Sequence, residues 1–240
     1  MPRPPYLLSE STWTTVRSTD YQVAVLPWGA TEAHNYHLPY ATDVIQCDYI
    51  AAEAARRAWE RGGRVVVLPT VPFGVNTGQP DIKLCINMNP STQTALLGDV
   101  VESLAGQGLR KLVILNGHGG NDFKAIVREM QAVYPDIFIC VINWYQLGDP
   151  GEVFDEVGDH AGEMETSNIM HIAPDLVRRP DEAGPGAERR FRVKGLRDGT
   201  AWAPRQWTKV TDDTGVGDPR AATAEKGQRY LDRVTSMIAD

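Results

Sequence analysis

Four short apolar runs punctuate the first part of the chain: Tyr21–Pro27 (YQVAVLP), Arg64–Pro69 (RVVVLP), Lys111–Asn116 (KLVILN) and Ile137–Asn143 (IFICVIN). Each is rich in aliphatic residues and bounded by Gly, Pro, Asn or Asp, the pattern of strands buried on both faces. Between the runs, apolar positions recur at helical spacing. Asp43–Arg61 carries Ile50, Ala54, Ala58 and Arg61 at that spacing and stops at Gly62-Gly63, a favourable helix end. Ser91–Gly106 and Asn121–Tyr134 repeat the pattern, the second halted by Pro135, and a fourth helix is expected over about Ala161–Ala173, ahead of Pro174. Strand–helix alternation of this kind predicts an α/β fold, a parallel sheet sandwiched by helices. The rhythm breaks in Arg178–Gly217, a Gly/Pro/Arg-rich stretch holding Trp202 and Trp207. A last helix is expected from about Pro219, at the favoured first helical position, to Ile238. No internal repeat intervenes, so residues 1–240 read as one domain with an irregular segment at about 178–217.

Composition narrows the function. Lysine and arginine number 24 against 31 acidic residues, a net charge of −7, so no basic footprint for nucleic acid is on offer. Cys47, Cys85 and Cys140 are widely spaced and form no CxxC pair, which argues against both a disulfide framework and a thiolate metal site. The opening MPRPPYLLSEST lacks a basic stretch followed by an apolar run, and no apolar run approaches the ~20 residues that span a bilayer. The expectation is a soluble, cytoplasmic, acidic globular protein.

The chain has only five histidines, and four fall in three short segments at the ends of expected elements. The first run gives way to Trp28-Gly29-Ala30-Thr31-Glu32-Ala33-His34-Asn35-Tyr36-His37-Leu38-Pro39-Tyr40-Ala41-Thr42-Asp43, and the third to Asn116-Gly117-His118-Gly119-Gly120-Asn121. The fourth helix opens with Asp159-His160-Ala161-Gly162-Glu163-Met164-Glu165-Thr166-Ser167. Singly, each has a bland explanation: a hydrogen-bonded surface histidine, a tight turn, a solvated acidic face. Jointly they place imidazoles and carboxylates where open α/β sheets bind ligands, in the donor set preferred by zinc, manganese or iron. The glycine turn matches neither GxGxxG nor GxxxxGK[ST], and its central residue is a histidine, so a phosphate cradle is weakly supported.

The runs LPWGATEAHNYHLPYATDV, NGHGGN and HAGEMETS, in that order and spacing, resemble the creatininase (creatinine amidohydrolase) family. The resemblance implies a three-layer α/β/α sandwich, a homo-oligomer that is often a hexamer, and two divalent metal ions bridged by a carboxylate and a water. By motif position, Glu32 and His118 would bind one metal and His34 the other, with Asp43 bridging. His160 would act as general acid/base and Trp144 would lie on a loop closing over the substrate. From the residues themselves, Gly119 would let backbone come close to the metals and the substrate, and Asn116 would either fix the glycine turn or offer amide hydrogens to the substrate. In creatininase a glutamate stands two residues after the histidine equivalent to His118; here that residue is Gly120. Glu163, three residues from His160 and so expected on the same helix face, is the proposed replacement as metal ligand and catalytic neighbour, with Glu165 the alternative. Asn35-Tyr36 replaces the family's Gly-Pro and Asn89-Pro90-Ser91-Thr92 its Phe-Pro-Gly-Thr, which puts Tyr36 on an altered substrate wall.

The implied reaction is hydrolysis of a C–N bond in a small amide, cyclic amide or formamide. Two metals lower the pKa of a shared water toward ~7, giving a bridging hydroxide, and polarise the carbonyl. His160 would protonate the leaving nitrogen. The alternatives are a non-catalytic metal-binding α/β protein and a metal-dependent isomerase or lyase.

Overall fold

The structure is a computed structural model describing residues 5–240. All four apolar runs are strands: β1 (Val23–Trp28), β2 (Val65–Val67), β3 (Lys111–Asn116) and β4 (Phe138–Asn143). They run parallel in the order β2-β1-β3-β4, with Val25 paired to Val67 on one side and to Val113 on the other. The α-helices are α1 (Trp13–Arg17), α2 (Thr42–Glu60), α3 (Pro90–Gly106), α4 (Phe123–Val133), α5 (Glu163–Ile172), α6 (Lys194–Arg197), α7 (Trp207–Val210) and α8 (Ala224–Ala239), joined in places by short 3-10 turns.

The twofold side-chain alternation of the strands makes two cores. Ala24, Leu26, Trp28, Leu112 and Ile114 pack against Leu97 and Val101 of α3 and Phe123, Ile126 and Met130 of α4. Val25, Val67 and Leu115 pack on the other face against Cys47, Ile50 and Ala51 of α2, Met164 of α5 and Tyr230, Leu231 and Val234 of α8. The result is the three-layer α/β/α sandwich that the alternation implied.

The strand order also decides where a ligand can go. From β1 the chain passes to β2 on one side, then returns across β1 to β3 on the other. That reversal opens a crevice at the carboxyl ends of β1 and β3, the usual ligand position in open α/β sheets. The segments carrying Glu32 and His34 leave β1 there, and the one carrying His118 leaves β3 there.

Several expectations need correction. The last helix starts at Ala224, not Pro219, because the Thr223 hydroxyl caps it by accepting from Lys226 N at 3.2 Å. The fourth helix starts at Glu163 rather than Ala161: Ala161 has φ +51° and Gly162 is extended. Trp28 is a core residue: it is buried, donates to the Phe73 carbonyl at 2.9 Å and lies 4.9 Å from the Phe123 ring. The irregular segment is tied down by Asn35, whose side-chain oxygen accepts from Gly184 N at 2.8 Å and whose backbone N–H donates to Thr214 Oγ1 at 2.9 Å.

Gly29 is where this framework is tightest. A Cβ there would stand 2.8 Å from Val44 N and 3.0 Å from the Asp43 carbonyl carbon, rigid backbone in the first turn of α2. Gly29→Ala is expected to remove about 1–3 kcal/mol of stability in urea unfolding, the range for overpacking a filled core. A wild-type midpoint would show that α2 shifts freely.

Candidate metal centre

Three loops meet at the floor of a cavity of about 820 Å³. The loop after β1 supplies Glu32 and His34, the first turn of α2 supplies Asp43, the turn after β3 supplies His118, the approach to α5 supplies His160 and the first turn of α5 supplies Glu165. The six side chains are buried or nearly so. His118 Nδ1 lies 3.0 Å from Glu32 Oε1 and 3.1 Å from Asp43 Oδ2. His34 Nε2 lies 3.1 Å from Asp43 Oδ1 and 3.9 Å from Glu165 Oε1. His160 Nδ1 stands 3.7 Å from Glu32 Oε1, its ring 4.1 Å from that of His34.

The far nitrogen of each ring makes a hydrogen bond to a backbone carbonyl. His34 Nδ1 meets Glu32 O at 3.2 Å, His118 Nε2 meets Val75 O at 3.1 Å, and His160 Nε2 meets Ala33 O at 2.8 Å. A carbonyl only accepts, so each far nitrogen carries the proton, and the neutral ring turns a lone pair toward the carboxylates. Lone pair facing carboxylate is repulsive unless a proton or a metal lies between, and this outer-shell arrangement is the one that orients metal-binding histidines. Asp43 Oδ2 supports the same reading: it is buried without a hydrogen-bond partner although His118 Nδ1 is 3.1 Å away. Among the described residues three donor groups suit a divalent metal, Glu32–Asp43–His118, His34–Asp43–Glu165 and Glu32–His34–His160; the first two share Asp43, which turns one oxygen to each.

With protons in place of metals, the electrostatics are pronounced. Burial alone would push His34 down, but the carboxylates of Asp43, Glu165 and Glu32 raise it to about 10. His118 is likewise raised against burial by Glu32 and Asp43. Burial would raise Glu32 and Asp43, yet His118 and His160 hold Glu32 low, and His34 holds Asp43 low. His37 goes the other way, pushed down to about 4 by burial and by the charge on His34; its Nε2 meets Thr166 Oγ1 at 2.8 Å behind the site.

The geometry revises several sequence-level assignments. Glu163 does not point into the cluster. Its Oε1 accepts from Lys226 Nζ at 2.5 Å and its Oε2 from Glu156 N at 2.8 Å. The spacing argument failed because His160 is not helical; it bridges to Val216, one residue before the left-handed Ala161. Glu165 takes the place instead, its Oε2 accepting from Ala161 N at 2.6 Å and its Oε1 facing His34. Trp144 is fully buried beside Cys47 and Tyr230 and does not line the cavity; its neighbour Tyr145 does. Of the two roles expected of Asn116, the structure has the turn-fixing one: it is away from the cavity, its side chain donating to His118 O at 3.0 Å and accepting from Asn121 Nδ2 at 2.9 Å. Tyr36 is exposed and reaches Asp212 O rather than the cavity, whereas Gly119 lines it and leaves open space. Sequence reasoning missed Gln79, whose amide donates to Glu32 Oε2, and Trp207, whose ring stands edge-on to His160 at 5.3 Å.

Gly120 is a built-in constraint. A Cβ there would overlap the Val75 carbonyl and come within 2.5 Å of His118 Nε2, so any side chain breaks the bond that orients His118. The raised His34 yields a pH signature for metal-stripped protein. Its contribution is complete below its ordinary 6.5 and is lost as pH rises through about 10. The Tm of stripped protein should therefore fall across that alkaline interval, and zinc loading should flatten the fall. A flat profile without metal would contradict the assigned charge states.

Comparison with known proteins identifies the family. Residues 9–240 match the family model described as creatininase, creatinine amidohydrolase. The mycofactocin precursor peptide peptidase of Mycobacterium ulcerans is 30% identical over 95% of this chain and 86% of its own length. The creatinine amidohydrolase of Pseudomonas putida is 28% identical over 65% of this chain and 66% of its own. Among solved structures, a Bacteroides fragilis protein assigned as a creatinine amidohydrolase superposes with TM-score 0.94 at 47% identity, covering 99% of this chain and 95% of its own. A manganese creatininase shares the fold, with TM-score 0.78 at 22% identity over 98% of this chain and 96% of its own. Matched along nearly its whole length, the chain belongs to the creatininase family.

Proposed function

We propose that this chain is a metal-dependent amidohydrolase that cleaves a C–N bond of a small amide, cyclic amide or formamide. In this reading two divalent ions are held by Glu32, His118 and Asp43 and by His34, Asp43 and Glu165. The observation that carries it is the set of three imidazoles, each anchored by one nitrogen to a carbonyl with the other turned on buried carboxylates beneath an open cavity. Metals bound there supply Lewis acidity toward the scissile carbonyl and toward water.

The chain's own residues do the rest. A nitrogen leaving group needs a proton, and His160 is placed to handle it. Its Nε2 is committed to Ala33 O, so Nδ1 is the atom that takes up and returns the proton. His160 stands farther from Glu32 than His118 does, lines the cavity and rests against Trp207, which fits a proton carrier better than a ligand. Gln79 fixes the outer oxygen of Glu32, and Ala161 N fixes that of Glu165, so each carboxylate keeps its other oxygen for the centre. Gly119 leaves room for the substrate.

A peptide amide is the second reading. It is favoured by a cavity of about 820 Å³ with the exposed Trp202 at its wall, ample for more than a small cyclic amide.

Elemental analysis tests the centre. Wild type loaded with zinc or manganese is expected to hold two ions per chain and Glu165→Ala about one. Glu163→Ala should keep both ions, since Glu163 is engaged by Lys226 Nζ and Glu156 N rather than by the centre. A wild type that takes up no metal sinks the proposal. His160→Gln should retain metal and lose roughly 10²–10⁴ in kcat on whichever amide is turned over; unchanged kcat would remove His160 from the proton path.

A further inference from the structure

We infer that Arg205 receives a carboxylate of the substrate, so that the amide cleaved here is one bearing an acid group; this rests on the amidohydrolase reading above. The cavity is otherwise acidic: Glu32, Asp43, Asp122, Asp159 and Glu165 line it, and among the described residues Arg205 is its only lysine or arginine. Opposite the metal ligands in charge, it is the one wall group that offers an anion both charge and a planar fork of donors.

The arginine is held in place. Its guanidinium carbon lies 4.6 Å from the centre of the Trp207 ring. Trp207 is fixed in turn by its Nε1 donating to Thr214 O at 2.9 Å and its backbone N–H donating to Gly78 O at 2.8 Å. The Arg205 carbonyl lies so close over Gly78 that no Cβ fits there. The same indole that carries Arg205 stands against His160, so an acid group held by the arginine leaves the rest of the molecule beside the proton carrier.

The two existing partners of Arg205 are unequal. Asp159 Oδ2 accepts from Nη2 at 2.6 Å, whereas Glu188 Oε1 is 3.5 Å from Nη1. Glu188 has a second partner, Arg190 Nε at 3.0 Å, so a substrate carboxylate that displaces it from Arg205 does not strand its charge. The arginine side chain remains one-third exposed, at 33%.

The test uses metal-loaded wild type, Arg205→Gln and Arg205→Lys. N-formylglycine and N-formylglycinamide are compared as substrates by formate release, and glutarate and its diamide as ligands by calorimetry. The expected result is a KM for N-formylglycine raised at least tenfold in Arg205→Gln with kcat little changed, partial recovery in Arg205→Lys, and no change for the uncharged amide. Glutarate should bind about tenfold more weakly to Arg205→Gln, and the diamide equally to both. Equal losses on both substrates, or glutarate affinity indifferent to the substitution, would overturn the inference. Glutarate binding that depends on Arg205 with neither amide hydrolysed would support the carboxylate receptor while counting against the amidohydrolase reading.

Discussion

The carbonyl oxygens of Glu32, Val75 and Ala33 can only accept hydrogen bonds, and they thereby decide which nitrogen of His34, His118 and His160 carries a proton. Everything chemical about the site follows from that assignment. With the outer nitrogens protonated, the inner ones confront Glu32, Asp43 and Glu165 at 3.0–3.9 Å, and the confrontation is relieved only by a cation. Protons can relieve it, which is why burial fails to lower His34 and His118. Divalent metals relieve it better, because one ion satisfies an imidazole and two carboxylates together.

This arrangement needs three loops to converge within a hydrogen bond's reach, and the sheet supplies the convergence. The reversal of strand order between β1 and β3 parts the loops that leave their carboxyl ends, and α2 starts in the gap so that Asp43 reaches the two donor groups that share it. Asp43 in the first helical turn is favoured as an anion by the helix N-terminus. Close backbone approaches make the gap small: Gly29 against Val44, and Gly120 against Val75 and His118. No side chain fits at Gly120, and it is Glu165 of α5 that faces His34.

Much of this was legible in the sequence. The strands announced themselves because both faces are buried and the residues are aliphatic throughout, and the Glu32, His34, Asp43 and His118 cluster sits in continuous motifs. What escaped was set by backbone conformation or long-range packing. Glu163 and Glu165 lie two residues apart, and only the left-handed turn at Ala161 decides which faces His34. Trp144 follows a strand, as a lid residue would, but the packing of α8 against β4's end buries it beside Tyr230. Gln79 meets Glu32 across 47 residues of sequence, and Trp207 meets His160 across a comparable span; neither carries a local signal.

X-ray absorption at the zinc edge of the loaded protein reads the ligand atoms themselves. The account requires first-shell nitrogen and oxygen at about 2.0–2.2 Å, multiple scattering from imidazole rings and no sulfur. Scattering without an imidazole contribution, or a shell at about 2.3 Å from cysteine sulfur, would contradict it.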